Sequence, residues 1–293
     1  MSRSFSTTRS PHWADIDEFS FVFGMRLLLL LYRALGRWPF YVLLGPVVLW
    51  YMAMQPAARA ASREYLGRLA NSSGDCARKP TLADVARHFA AFAETLLDKL
   101  LLWGGWCDAA NIRLFGNELI AREVAARRGG IIICAHFGNL ELCRVMSRRE
   151  PGLKLTVLTH TLHAKKFNRL LARLDPESQI NLLQVTELTP ATAIMLATKV
   201  ERGEFIAIAG DRIPVSRNAQ VAWAAFLGAP APFPIGAYVL ASLLQCPTYT
   251  LFALRRGGSA EMHFELFRES IRLPRRARAA ALKSLAQDYA ARL

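Results

Sequence analysis

A histidine and a carboxylate lie five residues apart in a stretch whose pattern suits acid–base chemistry. The stretch Gly129–Glu141 reads GGIIICAHFGNLE, and its unbroken, β-branched apolar run predicts a strand that is buried on both faces. We predict that this strand ends on His136 and that Asn139 caps a helix beginning near Leu140. Glu141 then falls in the first turn of that helix, where its carboxylate can lean back towards the imidazole.

A His136–Glu141 pair would be suited to removing a proton from a hydroxyl or an amine. A carboxylate on one ring nitrogen fixes the tautomer and leaves the other nitrogen to accept the proton. The helix N-terminus adds backbone N–H groups and positive potential for an oxyanion or a phosphate. A structural role is the alternative, because Glu141 can instead pair with Arg144, three residues on. This stretch alone leaves both interpretations open.

Composition and charge narrow the class of protein. The chain has 293 residues, of which 53% are hydrophobic, a fraction that is high for a soluble domain and ordinary for a membrane-attached one. Its net charge of +14 suits nucleic acid, anionic lipid, or an acidic protein or phosphorylated substrate. Nucleic acid is disfavoured, because Lys and Arg are dispersed and no nucleic-acid-binding motif is present. The five cysteines show no CxxC or zinc spacing, and His160 and His163 have no carboxylate or cysteine at metal spacing nearby, so we expect no metal. We expect no cofactor either.

The N-terminal part predicts membrane attachment. Residues 1–18 are polar and rich in Ser and Thr, which predicts disorder. Residues 19–56 are predicted to form a membrane anchor, and Trp38–Met54 within them carries no charge, at the short limit of the ~20 residues that cross a bilayer. Two prolines and a glycine interrupt this run. It can therefore cross the membrane or lie in one leaflet.

The remaining chain predicts a helical connector, residues 57–118, followed by an α/β domain, residues 119–293. Strands and helices alternate in the second region, which predicts an α/β sandwich with a central, mostly parallel sheet. The strands predicted after Glu141 are Leu155–Thr159, Ile180–Val185, Phe205–Ala209, Thr248–Leu254 and His263–Phe267. The helices predicted there are Ala164–Asp175, Pro190–Arg202, Ile235–Leu244 and Pro274–Leu293.

A second polar cluster follows another predicted strand. The tripeptide Gly-Asp-Arg at 210–212 comes directly after Phe205–Ala209. Because parallel strands place their carboxyl ends at one edge of a sheet, we expect this cluster to converge with His136. Arg212 can hold a phosphate or carboxylate with two hydrogen bonds. Asp211 can orient that arginine or simply shape the turn, and the turn is the more ordinary role.

Three motifs occur in a characteristic order behind the N-terminal apolar segment. They are HFGNLE at His136–Glu141, GDRIP at Gly210–Pro214, and the apolar, Pro-rich loop FLGAPAPFP at Phe226–Pro234, which can line a groove for an alkyl chain. Together they resemble the lysophospholipid acyltransferase superfamily, and within it the bacterial lipid A late acyltransferases. The similarity spans roughly residues 20–293, and its hallmark is a histidine followed, after four residues, by an acid.

The resemblance implies a role for each matched residue. His136 would be the general base and Glu141 the residue that orients it. The substrate-binding residues that it implies are Asn139, Asn168, Arg169, Asp211 and Arg212.

The resemblance also implies a reaction and a location. An acyl group would pass from a thioester, carried by acyl carrier protein or coenzyme A, to a hydroxyl of a membrane lipid, without a metal. The acceptor would be lipid A or a related glycolipid or polyene lipid. The catalytic domain would lie on the cytoplasmic side of the inner membrane, where an acidic carrier protein would suit the basic chain. Acceptor, acyl length and donor stay open.

Two other classes of function remain as alternatives. One is a membrane-anchored thioesterase or other hydrolase, although the chain contains no GxSxG nucleophile motif. The other is a catalytically inactive lipid-binding protein, which the intact His-x4-Glu motif disfavours.

Overall fold

A sheet of mostly parallel strands forms the frame of the fold, as the alternation of strands and helices predicted. The computed structural model describes residues 30, 33–73, 79–103, 112–138, 146, 149–150, 152–159, 180–184, 189–213, 219–256 and 259–293. The chain divides into two units, Met1–Pro56 and Ala57–Leu293. The sheet belongs to the second unit.

The described elements are numbered here in chain order. The helices are α1 Trp38–Met54, α2 Pro56–Ser72, α3 Leu82–Trp103, α4 Asn117–Ala125, α5 Pro190–Glu201, α6 Gly236–Leu244 and α7 Arg278–Arg292. The strands are β1 Ile112–Phe115, β2 Gly130–Gly138, β3 Leu155–Thr159, β4 Ile180–Gln184, β5 Phe205–Ala209, β6 Val221–Phe226, β7 Ala229–Pro234, β8 Thr248–Arg256 and β9 Ser259–Arg268. A short 3-10 helix, Arg275–Ala277, precedes α7.

The main sheet has the strand order β1-β9-β8-β2-β5-β3-β4 within the described residues. Neighbouring strands run parallel, except that β8 and β9 form an antiparallel pair. Apolar side chains cover both faces of this sheet and form two core clusters. A parallel sheet covered on both faces is the arrangement that unbroken apolar strands predict.

Strand β2 lies at the centre of the sheet, between β5 and β8. Its side chains Ile131, Ile132 and Ile133 have no exposed surface, which confirms the predicted burial on both faces. The predicted end of the strand at His136 is wrong, however, because β2 continues to Gly138. The register of β2 against β8 shifts between Cys134 and Gly138. Phe137 and Gly138 therefore belong to an irregular part of the strand and not to a turn.

The other predicted strands agree with the structure to different degrees. Strands β3 and β5 have the predicted bounds, whereas β4, β8 and β9 differ at their ends by one to four residues. The predicted helix Ala164–Asp175 lies outside the described residues. Strand β1 and helix α4 were not predicted, and β1 forms an edge of the main sheet.

The predicted Pro-rich loop Phe226–Pro234 is instead mostly strand. Strand β7 pairs with β6 as an antiparallel hairpin, joined by a turn at Leu227 and Gly228, both of which have positive φ. The prolines of β7 are at every second position, so their missing N–H groups all fall along one edge of the strand. That edge faces away from β6, which allows the ladder to form.

Among the described residues, no helix alone is long and apolar enough to cross a bilayer. Helices α1 and α2 together satisfy the criterion of length and composition only as a sharply bent pair.

Candidate active site

Two neighbouring strands bring His136 and Asp211 to the same edge of the sheet. His136 belongs to the last part of β2, and Asp211 follows the end of β5 by two residues. These strands run parallel with Cys134 opposite Ala209, so the residues beyond that pair emerge side by side. The predicted convergence of the two polar clusters is confirmed by a direct contact between them.

The Asp211 carboxylate holds both the ring and the backbone of His136. Its Oδ1 lies 2.8 Å from the imidazole Nδ1. Its Oδ2 accepts a hydrogen bond of 2.7 Å from the backbone N–H of His136. Two contacts to one residue fix the direction of the imidazole as well as its distance from the carboxylate.

The protonation of this pair follows from the charge on Asp211. Burial by itself would raise the pKa of the Asp211 carboxyl, but the hydrogen bonds from the ring and backbone of His136 outweigh it and hold the pKa below its ordinary value. An ionised carboxylate can only accept hydrogen bonds, so Nδ1 carries the proton in this contact. In the neutral imidazole Nε2 is then unprotonated and can accept a proton from a substrate.

The two side chains differ in their access to solvent. The His136 side chain is 37% exposed, whereas that of Asp211 is 15% exposed. The carboxylate is therefore shielded while the imidazole remains open to a ligand. This is the arrangement expected of a base that reacts and a partner that only orients it.

Glycine at position 210 allows the two strand ends to approach each other. Its N–H donates a hydrogen bond of 2.8 Å to the carbonyl of Cys134. A Cβ atom at this position would lie 2.5 Å from Cγ2 of Ile133, which is too close for any side chain. Gly210 thus lets Asp211, the next residue, lie close to β2.

Exposed apolar and cationic side chains follow both members of the pair in the chain. Phe137 directly follows His136 and is 51% exposed, and Ile213 follows Asp211 by two residues and is 42% exposed. Arg212, between Asp211 and Ile213, is also exposed. Two exposed apolar side chains and an exposed guanidinium therefore lie within two residues of the pair in sequence.

The predicted partner of His136 is not among the residues that the structure describes. Glu141, Asn139, Asn168 and Arg169 all lie outside them, and their roles stay predictions. The hydrogen bonds instead reveal a contact between His136 and Asp211, for which the sequence predicted a role in the turn or in orienting Arg212. The signal was present, because a Gly-Asp pair directly follows a buried strand at the same edge as His136.

Metal ligation finds no support in the described part of the chain. There, no group of three or more His, Cys, Asp or Glu side chains is arranged to hold an ion.

No protein-family model matches the chain, and no curated protein matches it either.

Proposed function

We propose that this protein is an O-acyltransferase that moves a fatty acyl group from a thioester to a hydroxyl of a membrane lipid. The observation that carries the proposal is the contact between Nδ1 of His136 and Oδ1 of Asp211, 2.8 Å, which leaves Nε2 of a partly exposed ring available for a substrate. The sequence resemblance described above supplies the reaction class. Asp211 takes the orienting role in this proposal, and a contribution from Glu141 stays a prediction.

The reaction needs one base and no covalent enzyme intermediate. Nε2 of His136 removes the proton from the acceptor hydroxyl as the oxygen attacks the thioester carbonyl. Asp211 stabilises the imidazolium that forms, because its carboxylate stays ionised. The tetrahedral intermediate then collapses, the C–S bond breaks, and the imidazolium returns the proton to the departing thiolate. The products are an ester and the free thiol of the carrier.

The residues that follow His136 and Asp211 in the chain suit substrates with an apolar chain and an anionic group. Phe137 and Ile213 are exposed apolar side chains on which an acyl chain would lose contact with water. Arg212 offers a planar guanidinium for a phosphate or carboxylate. The net charge of +14 would also steer an acidic carrier protein towards this chain. A phosphorylated donor and a lipid acceptor satisfy all three features.

Helix α1 is the surface that we propose attaches the protein to the membrane. It is apolar all around and has 17 residues, which corresponds to about 25 Å of helix, against a bilayer core of about 30 Å. Its large apolar side chains are mostly exposed, among them Leu43 and Trp50 at 65% each. A helix of this kind suits burial in one leaflet, with the basic helix α2 next to it in sequence suited to anionic headgroups.

Membrane attachment is tested by adding charge to α1 in the full chain. We expect Leu43→Glu combined with Trp50→Glu to move the protein away from anionic lipid vesicles in a flotation assay, because two carboxylates would enter an apolar layer. Ile194→Glu is the matched control, since Ile194 is also an exposed apolar side chain, at 68%, but lies on α5. Equal flotation of both variants with the wild type would contradict the proposal.

The reaction class is tested with purified full-length protein, an acyl thioester and an extract of membrane lipids. We expect a lipid whose mass increases by one acyl group, together with one equivalent of free thiol. Release of free fatty acid without an acylated lipid would identify a hydrolase instead. Lipid binding without turnover would identify a binding protein. Mass spectrometry of lipids from cells with and without the gene then identifies the acceptor.

A further inference from the structure

A buried tyrosine of the last helix is joined to the strand that carries His136. The hydroxyl of Tyr289, on α7, donates a hydrogen bond of 2.9 Å to the carbonyl of Cys134. The same carbonyl accepts the N–H of Gly210 at 2.8 Å. Cys134 precedes His136 by two residues, and Gly210 directly precedes Asp211. One carbonyl therefore links the two strand ends of the candidate site to a helix that is 155 residues away in sequence.

The ring of Tyr289 is held tightly in this position. It is fully buried, and the rings of Phe233 and Phe252 each lie 6.0 Å from it, centroid to centroid. A Cβ atom on Gly210 would approach Cζ of Tyr289 to 3.1 Å, so the tyrosine fills the space that a side chain at 210 would need. A shift of α7 would thus be transmitted to the residue before Asp211.

The hydroxyl of Tyr289 stays a donor under ordinary conditions. Burial raises its pKa, and the nearby charge of Asp211 raises it further. A protonated hydroxyl at this place keeps its hydrogen bond to Cys134 at neutral pH. The contact is therefore a constant constraint and does not act as a switch.

We propose that Tyr289 is a positioning residue for the His136–Asp211 pair. Its hydroxyl holds the carbonyl of Cys134 in place by a hydrogen bond from α7. This bond fixes the end of β2 relative to the end of β5. The imidazole and the carboxylate then meet at hydrogen-bond distance without further adjustment. The role rests on the proposed function for its effect on turnover, but the geometric effect on the pair exists whatever reaction His136 performs.

The test compares two tyrosine-to-phenylalanine variants of the full chain. Tyr289→Phe removes the hydroxyl that contacts Cys134, whose carbonyl keeps the bond from Gly210. Tyr238→Phe is the matched control, because Tyr238 is equally buried in the same core cluster and its hydroxyl has no hydrogen-bond partner among the described residues. Two quantities are measured: kcat and KM for acyl transfer, and the proton NMR resonance of Nδ1–H of His136.

We expect Tyr289→Phe to lower kcat on the order of 10- to 100-fold with little change in KM, since small misplacements of catalytic groups have effects of this size. The Nδ1–H resonance, assigned by its loss in His136→Ala, should weaken or move towards the position of an imidazole without a carboxylate. Tyr238→Phe should change neither quantity.

Three results would overturn the proposal: an unchanged Nδ1–H resonance in Tyr289→Phe, equal losses of kcat in both variants, or a Tyr289→Phe protein that no longer folds. The last would assign the hydroxyl to the stability of the core. The proposed function can fail separately. A wild-type protein without acyl transfer, whose Nδ1–H resonance still depends on Tyr289 and not on Tyr238, would keep the positioning role and lose the reaction.

Discussion

Two shielded carboxylates lie near opposite ends of strand β2, one on α4 and one just after β5. They differ in the partner that each contacts. Before the strand, Glu123 of α4 accepts hydrogen bonds from Arg128 and Arg122. After its buried part, Asp211 accepts hydrogen bonds from His136. The pKa of each carboxyl lies below its ordinary value. Because the two carboxylates are alike in this respect, what distinguishes the two pairs chemically is the group that faces each carboxylate.

A guanidinium makes the pair at Glu123 permanent. Glu123 is 1% exposed, and the hydrogen bond from Arg128 is the largest of the effects that lower the pKa of its carboxyl, to about 2. An arginine does not release its proton in a protein, so this pair cannot take part in proton transfer. It links α4 to the start of β2 and is structural.

An imidazole makes the pair at Asp211 capable of exchanging a proton. Its uncharged form has one nitrogen without a proton, and the ring of His136 is accessible while Asp211 is mostly shielded. The comparison teaches that a carboxylate with a lowered pKa does not by itself indicate a catalytic site. The partner must be able to exchange a proton and to reach a substrate.

Among the substitutions that distinguish the His136–Asp211 pair from the Arg128–Glu123 pair, we expect Asp211→Asn to have the largest effect on turnover. An amide can still contact the ring but favours the wrong tautomer and does not stabilise the imidazolium. We expect kcat to fall on the order of 10³- to 10⁴-fold while the melting temperature changes little. Steady-state kinetics and thermal denaturation of the purified variant check this.

Glu141→Gln, measured in the same way, tests the partner that the motif predicts. We predict a strong but incomplete loss of activity for it. If Glu141→Gln abolished turnover and Asp211→Asn left it intact, Asp211 would have only the role of shaping the turn.

A smaller effect is expected from Arg212→Lys, which keeps the charge and removes the planar fork. If Arg212 binds an anionic group of the substrate, the loss is about 1.5–3 kcal/mol, as for a charge-assisted hydrogen bond. This should raise KM for the donor or for the acceptor by roughly 10- to 150-fold and leave the melting temperature unchanged. A lower melting temperature with both KM values unchanged would show a structural role instead.

Glu123→Gln should affect stability and leave turnover per folded molecule unchanged. We expect a loss of about 2 kcal/mol in the free energy of unfolding, less than for a fully buried pair because Arg128 is half-exposed. Denaturant unfolding monitored by circular dichroism measures it. A fall in kcat comparable to that of Asp211→Asn would contradict the structural role of the Glu123 pair.

The contribution of Glu123 should also depend on pH in one direction. The pKa of its carboxyl is lowered from 4.5 to about 2 in the folded protein, so the stabilisation is complete above about pH 4.5 and is lost as the pH falls towards 2. The stability difference between wild type and Glu123→Gln should therefore shrink on acidification. A difference that stayed constant down to pH 2 would contradict the assignment.

The sequence predicted best those strands that consist of a single short apolar run with clear ends. Strands β3 and β5 were predicted to the residue, because short apolar runs ended by polar or glycine residues have few other solutions. Strand β7 was missed, because three alternating prolines argue against a strand unless they all face its free edge, and sequence alone does not reveal an edge. The end of β2 was missed because its register shift depends on β8.

The sequence predicted where the candidate site lies in the fold, but not which carboxylate contacts His136. Two polar clusters after parallel strands must share one edge, so the meeting of His136 with the Gly-Asp-Arg tripeptide followed from topology. Which carboxylate contacts Nδ1 depends on distances of a few ångström between residues 75 apart in sequence. The role of Tyr289 was equally inaccessible, because its pattern in α7 is that of an ordinary core residue.

Turnover by purified His136→Ala tests the central claim most directly. The account predicts that this variant folds, associates with lipid vesicles like the wild type, and shows acyl transfer lowered on the order of 10²- to 10⁴-fold, the usual contribution of a general base. The acylated lipid would be quantified by mass spectrometry against wild type and against Glu123→Gln, which should retain full turnover. Transfer by His136→Ala at the wild-type rate would contradict the account.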